Sequence, residues 1–123
     1  MARPSAWRWW TRPRTWEALA AAVFTTLVAW PFLSLTQYVT AYDTVTYSGL
    51  NTAFTFAELR TGRLPSWTPY LFGGTTNLGN PAANVLYPLK LPFVLLDPAR
   101  AMPLITATHL YVLAAGVFVL LAW

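Results

Sequence analysis

Cysteine is absent, so neither a disulfide framework nor a thiolate metal site is open to this chain. Charge is nearly absent too. Charged residues make up 10% of the 123, against about 25% in ordinary globular chains. Four acids and one histidine leave few side chains for metal ligation or acid–base work. A net charge of +4 is not the footprint of a nucleic-acid binder. What fills the space is apolar: 56% of the residues, with seven Trp, six Tyr and seven Phe. These are more aromatics than one small core hides. The length suits one domain and not two.

The charges that exist are unevenly placed. Arg3, Arg8, Arg12 and Arg14 crowd the beginning of the chain with no acid between them. An Arg- and Trp-rich flank directly before an apolar run reads as the cytoplasmic side of a membrane span. Residues 18–35, ALAAAVFTTLVAWPFLSL, carry no charge. As a helix these 18 residues reach roughly 27 Å, just short of the ~30 Å hydrocarbon core. The first span is therefore expected over residues 17–39, after a cytoplasmic stretch 1–16. Pro31 would bend its end, and Trp16 and Trp30 would anchor it. The competing reading is a signal peptide cut after VTA at 39–41, but the apolar run is long for that. Residues 101–123 form a second uncharged run, with Pro103 suited to a first helical turn. The run stops without a basic flank, which predicts a larger multi-pass protein of which this is a part.

The stretch between, 40–100, falls outside the cell if the N-terminus lies inside. Tyr47, Leu50, Phe54 and Ala57 recur at helical spacing. They predict an amphipathic surface helix over 44–60, with Asp43 as its N-cap and Gly62 as its stop. A second, short apolar helix is expected over 85–96, re-entrant or interfacial because it is too short to span. Asp97 before Pro98 reads as a turn or cap for the second span.

YLFGGTTNLGNP, residues 70–81, resembles a phosphate cradle only at first sight. It lacks the Gly-Lys-Ser/Thr ending of a Walker loop and the strand-framed G-x-G-x-x-G of a dinucleotide site. Gly73, Gly74 and Gly79 permit positive φ, and Asn77 and Asn80 suit turns. A specifically folded cap on the membrane surface follows, with Trp67, Tyr70, Phe72 and Tyr87 at headgroup depth.

The order of these parts is similar to the N-terminal portion of the bacterial YfhO-like multi-pass membrane proteins, relatives of the GT-C class of glycosyltransferases. The resemblance rests on G-x-L-P-x-W-x-P-Y-L-F-G-G (62–74), Asn80-Pro81 and Tyr87-Pro88, and it covers roughly residues 17–123. It implies an all-α membrane protein, here a GT-C-like fragment of two transmembrane helices bracketing an external loop, in the bacterial plasma membrane. It also implies transfer of a sugar from a polyprenyl-phosphate donor to a cell-envelope acceptor. Partners would be the bilayer, the lipid-linked sugar and the remaining helices of the intact chain or of a partner subunit. Asp43 stands where the class carries its catalytic acid, just after the first span. Two departures are Thr68, where Asn is usual, and the lack of a second acid beside Asp43. The latter leaves a divalent metal open.

Each candidate residue carries a plainer alternative. Asp43 is a base, a helix cap or both. Arg60, Arg63 and Lys90 either hold a donor phosphate or meet lipid phosphates. Trp67, Tyr70 and Tyr87 either stack on a sugar or anchor at the interface. Glu58 reads as a partner for Arg60 or Arg63. His109, inside a span, is expected neutral and hydrogen-bonded between helices. A non-catalytic membrane scaffold or subunit is the alternative for the whole chain.

Overall fold

The computed structural model describes residues 15–35 and 44–122. Helix α1 spans Thr15–Leu33 and helix α3 spans Pro98–Ala122. Between them run a π-helical stretch Thr44–Gly49, helix α2 (Leu50–Arg60), strands β1 (Trp67–Thr68) and β2 (Thr75–Thr76), and a 3-10 turn Leu91–Phe93. The fold is mostly helical. Among the described residues a two-residue antiparallel ladder pairs Trp67 with Thr76 and Thr68 with Thr75.

Helices α1 and α3 are each long and apolar enough to cross a membrane. Only 11% of the apolar window of α1 and 6% of that of α3 is buried, so neither has the covered surface of a soluble core helix. Such surfaces are compatible with contact with a bilayer. The two helices pack on each other through small residues. Ala29 and Thr25 are buried on α1, and grooves between the helices bring Ala21 beside Ala114 and Phe118. Small side chains let helix backbones approach, which matters where lipid removes the hydrophobic drive. Thr26 Oγ1 and Tyr111 Oη meet at 2.8 Å, an interhelical bond worth roughly 0.6 kcal/mol in such settings.

The ends of both helices differ from expectation. Helix α1 stops at Leu33 rather than 39, two residues after Pro31. Ser34 closes it, donating from N to Trp30 O and from Oγ to Pro31 O, and Leu35 takes φ 55°. At α3, Pro98 and not Pro103 occupies the first helical position, three residues before 101. Asp97 caps it: its Oδ1 accepts from Ala99 N at 2.9 Å and its carbonyl accepts from Arg100 N and Ala101 N.

The π-helical stretch leads straight into α2, so Gly49 has helical dihedrals and no side-chain cap. Asp43, expected as cap, lies outside the described residues. The far end closes as a Schellman motif: Arg63 N donates to Glu58 O, Gly62 N donates to Leu59 O, and Gly62 sits at φ 73°.

Helix α2 is inside out. Its covered face is Asn51, Thr52, Thr55 and Phe56. Leu50 and Ala57, from the face drawn by spacing, look outward. Phe56 is fully buried and contributes about 2–3 kcal/mol. The rest of the inner face is held by hydrogen bonds. Asn77 Nδ2 donates to Thr55 Oγ1 at 3.2 Å, Asn51 Nδ2 donates to Tyr47 O, and Tyr47 Oη donates to Asn80 Oδ1.

The short helix expected over 85–96 is replaced by turns, with only Leu91–Phe93 helical. Pro88 and Pro92 supply no N–H for an α-helical ladder, and Pro92 is accommodated at the start of the 3-10 turn, where that donor is not needed.

Candidate functional site

Tight turns position the aromatic rings of the cap. Gly74 takes φ 119°, and a Cβ there would sit 2.8 Å from Trp67 Cζ2. Glycine is thus what lets the hairpin fold back against the indole. Gly73 takes φ 74° in open space. Gly79 does not use positive φ. Its N donates to Thr76 Oγ1 instead. Two residues outside the glycine pattern, Phe72 and Asn84, adopt left-handed backbone at φ 52° and 48°.

Trp67 and Tyr70 both stand exposed, at 59% and 76%. Tyr70 meets Phe54 edge to face, ring centroids 5.7 Å apart. An apolar groove of about 440 Å³ runs between α2 and the hairpin, lined by Leu50, Phe54, Tyr70 and Leu71, with Asn51 and Thr68 among them. Asn51 Oδ1 and Asn77 Oδ1 are buried acceptors that receive no donor among the described residues.

The cations expected to bind phosphate do not gather. Arg63 makes a two-pronged pair with Glu58, at 2.8 and 2.9 Å. Those hydrogen bonds hold the Glu58 carboxyl below its ordinary range and raise Arg63 further. Arg60 donates through Nε to Val94 O at 2.7 Å and through Nη2 to Leu96 O. It ties the end of α2 to the segment that leads into α3. Lys90 is buried, with Nζ donating to Ala83 O at 2.7 Å and lying 5.8 Å from the centre of the Phe56 ring. Burial pushes its amine down from 10.5 to about 8. Its ammonium is therefore turned inward, towards Ala83 O and the Phe56 ring.

His109 is held from two sides. Its Nδ1 lies 2.6 Å from Ile105 O, and its Nε2 lies 2.7 Å from Tyr87 Oη. A carbonyl can only accept, so Nδ1 carries a proton, and in the neutral ring Nε2 accepts from the phenol. The rings also stack, 5.3 Å apart. The partner is a loop tyrosine, not a second span. Tyr87 therefore has a bonding role that its aromatic character alone did not signal.

Asp43, the expected catalytic base, lies outside the described residues. Among the described residues no three His, Asp or Glu side chains come together as a metal-holding group. What the described cap offers is binding: exposed rings, an apolar groove and a rigid hydrogen-bonded frame behind them. No family model, curated protein or solved structure matches this chain.

Proposed function

We propose that this chain is the N-terminal part of a membrane glycosyltransferase that moves a sugar from a polyprenyl-phosphate donor to a hydroxyl of a cell-envelope polymer. The observation that carries this reading is the string from Gly62 to Gly74 with Asn80-Pro81 and Tyr87-Pro88. The residues of that string work as one unit. Gly62 ends α2, Gly74 receives Trp67, Asn80 accepts from Tyr47, and Tyr87 bonds His109. A frame of this kind between two apolar helices holds Trp67 outward, where an indole can stack on a sugar ring. The chain sits in the bacterial plasma membrane with the Arg-rich N-terminus in the cytoplasm and the cap outside.

In the reaction, Asp43 takes the proton of the acceptor hydroxyl. The oxygen attacks the anomeric carbon, the carbon–oxygen bond to the lipid phosphate breaks, and the phosphate leaves with the electron pair. A carboxylate at a membrane edge has a raised proton affinity, which suits it to this task. The test is Asp43→Asn in the intact protein, with a radiolabelled lipid-phosphate sugar as donor. Transfer is expected to fall by the 10²–10⁴-fold typical of a lost general base, while donor binding persists. Undiminished transfer would overturn the reading. It would favour the alternative, a scaffold or subunit whose apolar helices pack with a partner.

A further inference from the structure

We propose that the outward face of α2 and the tip of the β1–β2 hairpin form one patch that inserts into the interfacial layer of the bilayer crossed by α1 and α3. The first observation is the burial pattern of α2, which covers three polar side chains and Phe56 and leaves Leu50, Ala53 and Ala57 outward. Its polar side chains Asn51, Thr52 and Thr55 are buried against the cap, while Leu50 is 57% exposed. A helix that hides its polar face from water is arranged for an apolar surround on the other side. The second is continuity. The Phe54–Tyr70 contact joins helix to hairpin, and the groove between them is lined by uncharged residues only. The third is the hairpin tip. Phe72 is 87% exposed and sits at φ 52°, a backbone that a bulky residue avoids. A strained phenylalanine pointing away from its own fold is a wedge without a slot among the described residues.

The bilayer is the occupant because the spans on either side of the cap keep a lipid surface always within reach. Phenylalanine and leucine side chains with a tyrosine hydroxyl at their rim match the graded polarity of that layer. The patch draws on the two spans and not on the transfer chemistry. It also divides the cap's aromatics: Tyr70 goes to lipid, and Trp67, which packs on Gly74, remains the ring open to a sugar.

The absence of native cysteine makes the test clean. Phe72→Cys, Leu50→Cys, Arg63→Cys and Leu120→Cys each take one nitroxide label, in the full chain reconstituted in phosphatidylcholine–phosphatidylglycerol vesicles. Accessibility to oxygen, which favours lipid, is compared with accessibility to a nickel chelate, which favours water. The oxygen-to-chelate ratio at positions 72 and 50 is expected several-fold above that at 63 and close to that at 120. Position 50 guards against disturbance at the strained site. Ratios at 72 and 50 equal to that at 63 would overturn the proposal, because the patch would then face water. Exclusion of both reagents would overturn it too, since protein would cover the face. A water-accessible label at 120 would remove the spans themselves, and the patch with them.

Discussion

The indole of Trp67 fills the space that any side chain at Gly74 would need: a Cβ there would lie 2.8 Å from Trp67 Cζ2. The backbone at 74 is also at φ 119°, a conformation that L-residues resist. Gly74→Ala therefore meets both strain and a clash with a ring that is pinned in β1. It is expected to cost about 1–3 kcal/mol and to weaken the near-ultraviolet dichroism of the tryptophans. Gly73 has φ 74° but nothing within 4 Å. Gly73→Ala should cost only the left-handed penalty, about 1–2 kcal/mol, and Gly73→Asn less. Equal losses at 73 and 74 would mean that Trp67 does not hold this position.

Asn77 Nδ2 donates to Thr55 Oγ1 inside the cap, where both residues are fully buried. Thr55→Val keeps the shape but strands that amide, which already has an unsatisfied Oδ1. A cost of about 1–3 kcal/mol is expected. In an Asn77→Ala background the same change should cost much less, because no amide is left to strand. Thermal unfolding of the four proteins in detergent measures the coupling, and additive losses would contradict the bond.

Much of the helical frame was legible in the sequence. Charge-free runs marked α1 and α3, Asp97 before Pro98 marked the cap of α3, and Gly62 marked the end of α2. Spacing also picked out Leu50, Phe54 and Ala57 as one side of α2, yet it could not say which side the fold covers. The covered side is made of Asn51, Thr52 and Thr55, whose burial depends on partners such as Asn77 far along the chain. Strands of two residues carry no alternation, so the pairing of Trp67 with Thr76 left no periodic trace. Lys90 was misread for a similar reason. Lysine is ordinarily exposed, and only the fold brings Ala83 O and Phe56 to meet it. At 85–96 apolar composition suggested helix, but Pro88 and Pro92 removed the donors that a helix needs.

Lys90 makes stability depend on pH in a defined direction. Burial lowers its amine from 10.5 to about 8. Below about 8 the ammonium is charged in both folded and unfolded chains, and the full desolvation cost is present. Above 10.5 it is neutral in both, and that cost is gone. Between these values the unfolded chain binds more protons, so this residue makes stability rise with pH from about 8 towards 10.5. Lys90→Met keeps the packing on Phe56 and gives up the bond to Ala83 O. Its unfolding temperature should show a flatter pH profile over this window than the parent chain. Parallel profiles would show that Lys90 is not held in a desolvated site.

Tyr87 and His109 join the loop to the second apolar helix through a single hydrogen bond at 2.7 Å. The imidazole has no freedom in this arrangement, because Nδ1 is committed to Ile105 O. Of the two neutral tautomers, the Nδ1–H form fits both contacts, with Nε2 accepting from the phenol. The chain has one histidine, so nitrogen-15 resonance in vesicles reads this residue without assignment. A protonated Nδ1 and an unprotonated, hydrogen-bonded Nε2 are expected of the neutral ring. Tyr87→Phe should leave the tautomer in place, shift the Nε2 signal towards that of an unbonded nitrogen, and cost about 1 kcal/mol. An Nε2–H tautomer in the parent chain would contradict the bond to Ile105 O. The bond lost in that tautomer would be the one from Nδ1 to Ile105 O, since Nε2–H could still donate to Tyr87 Oη.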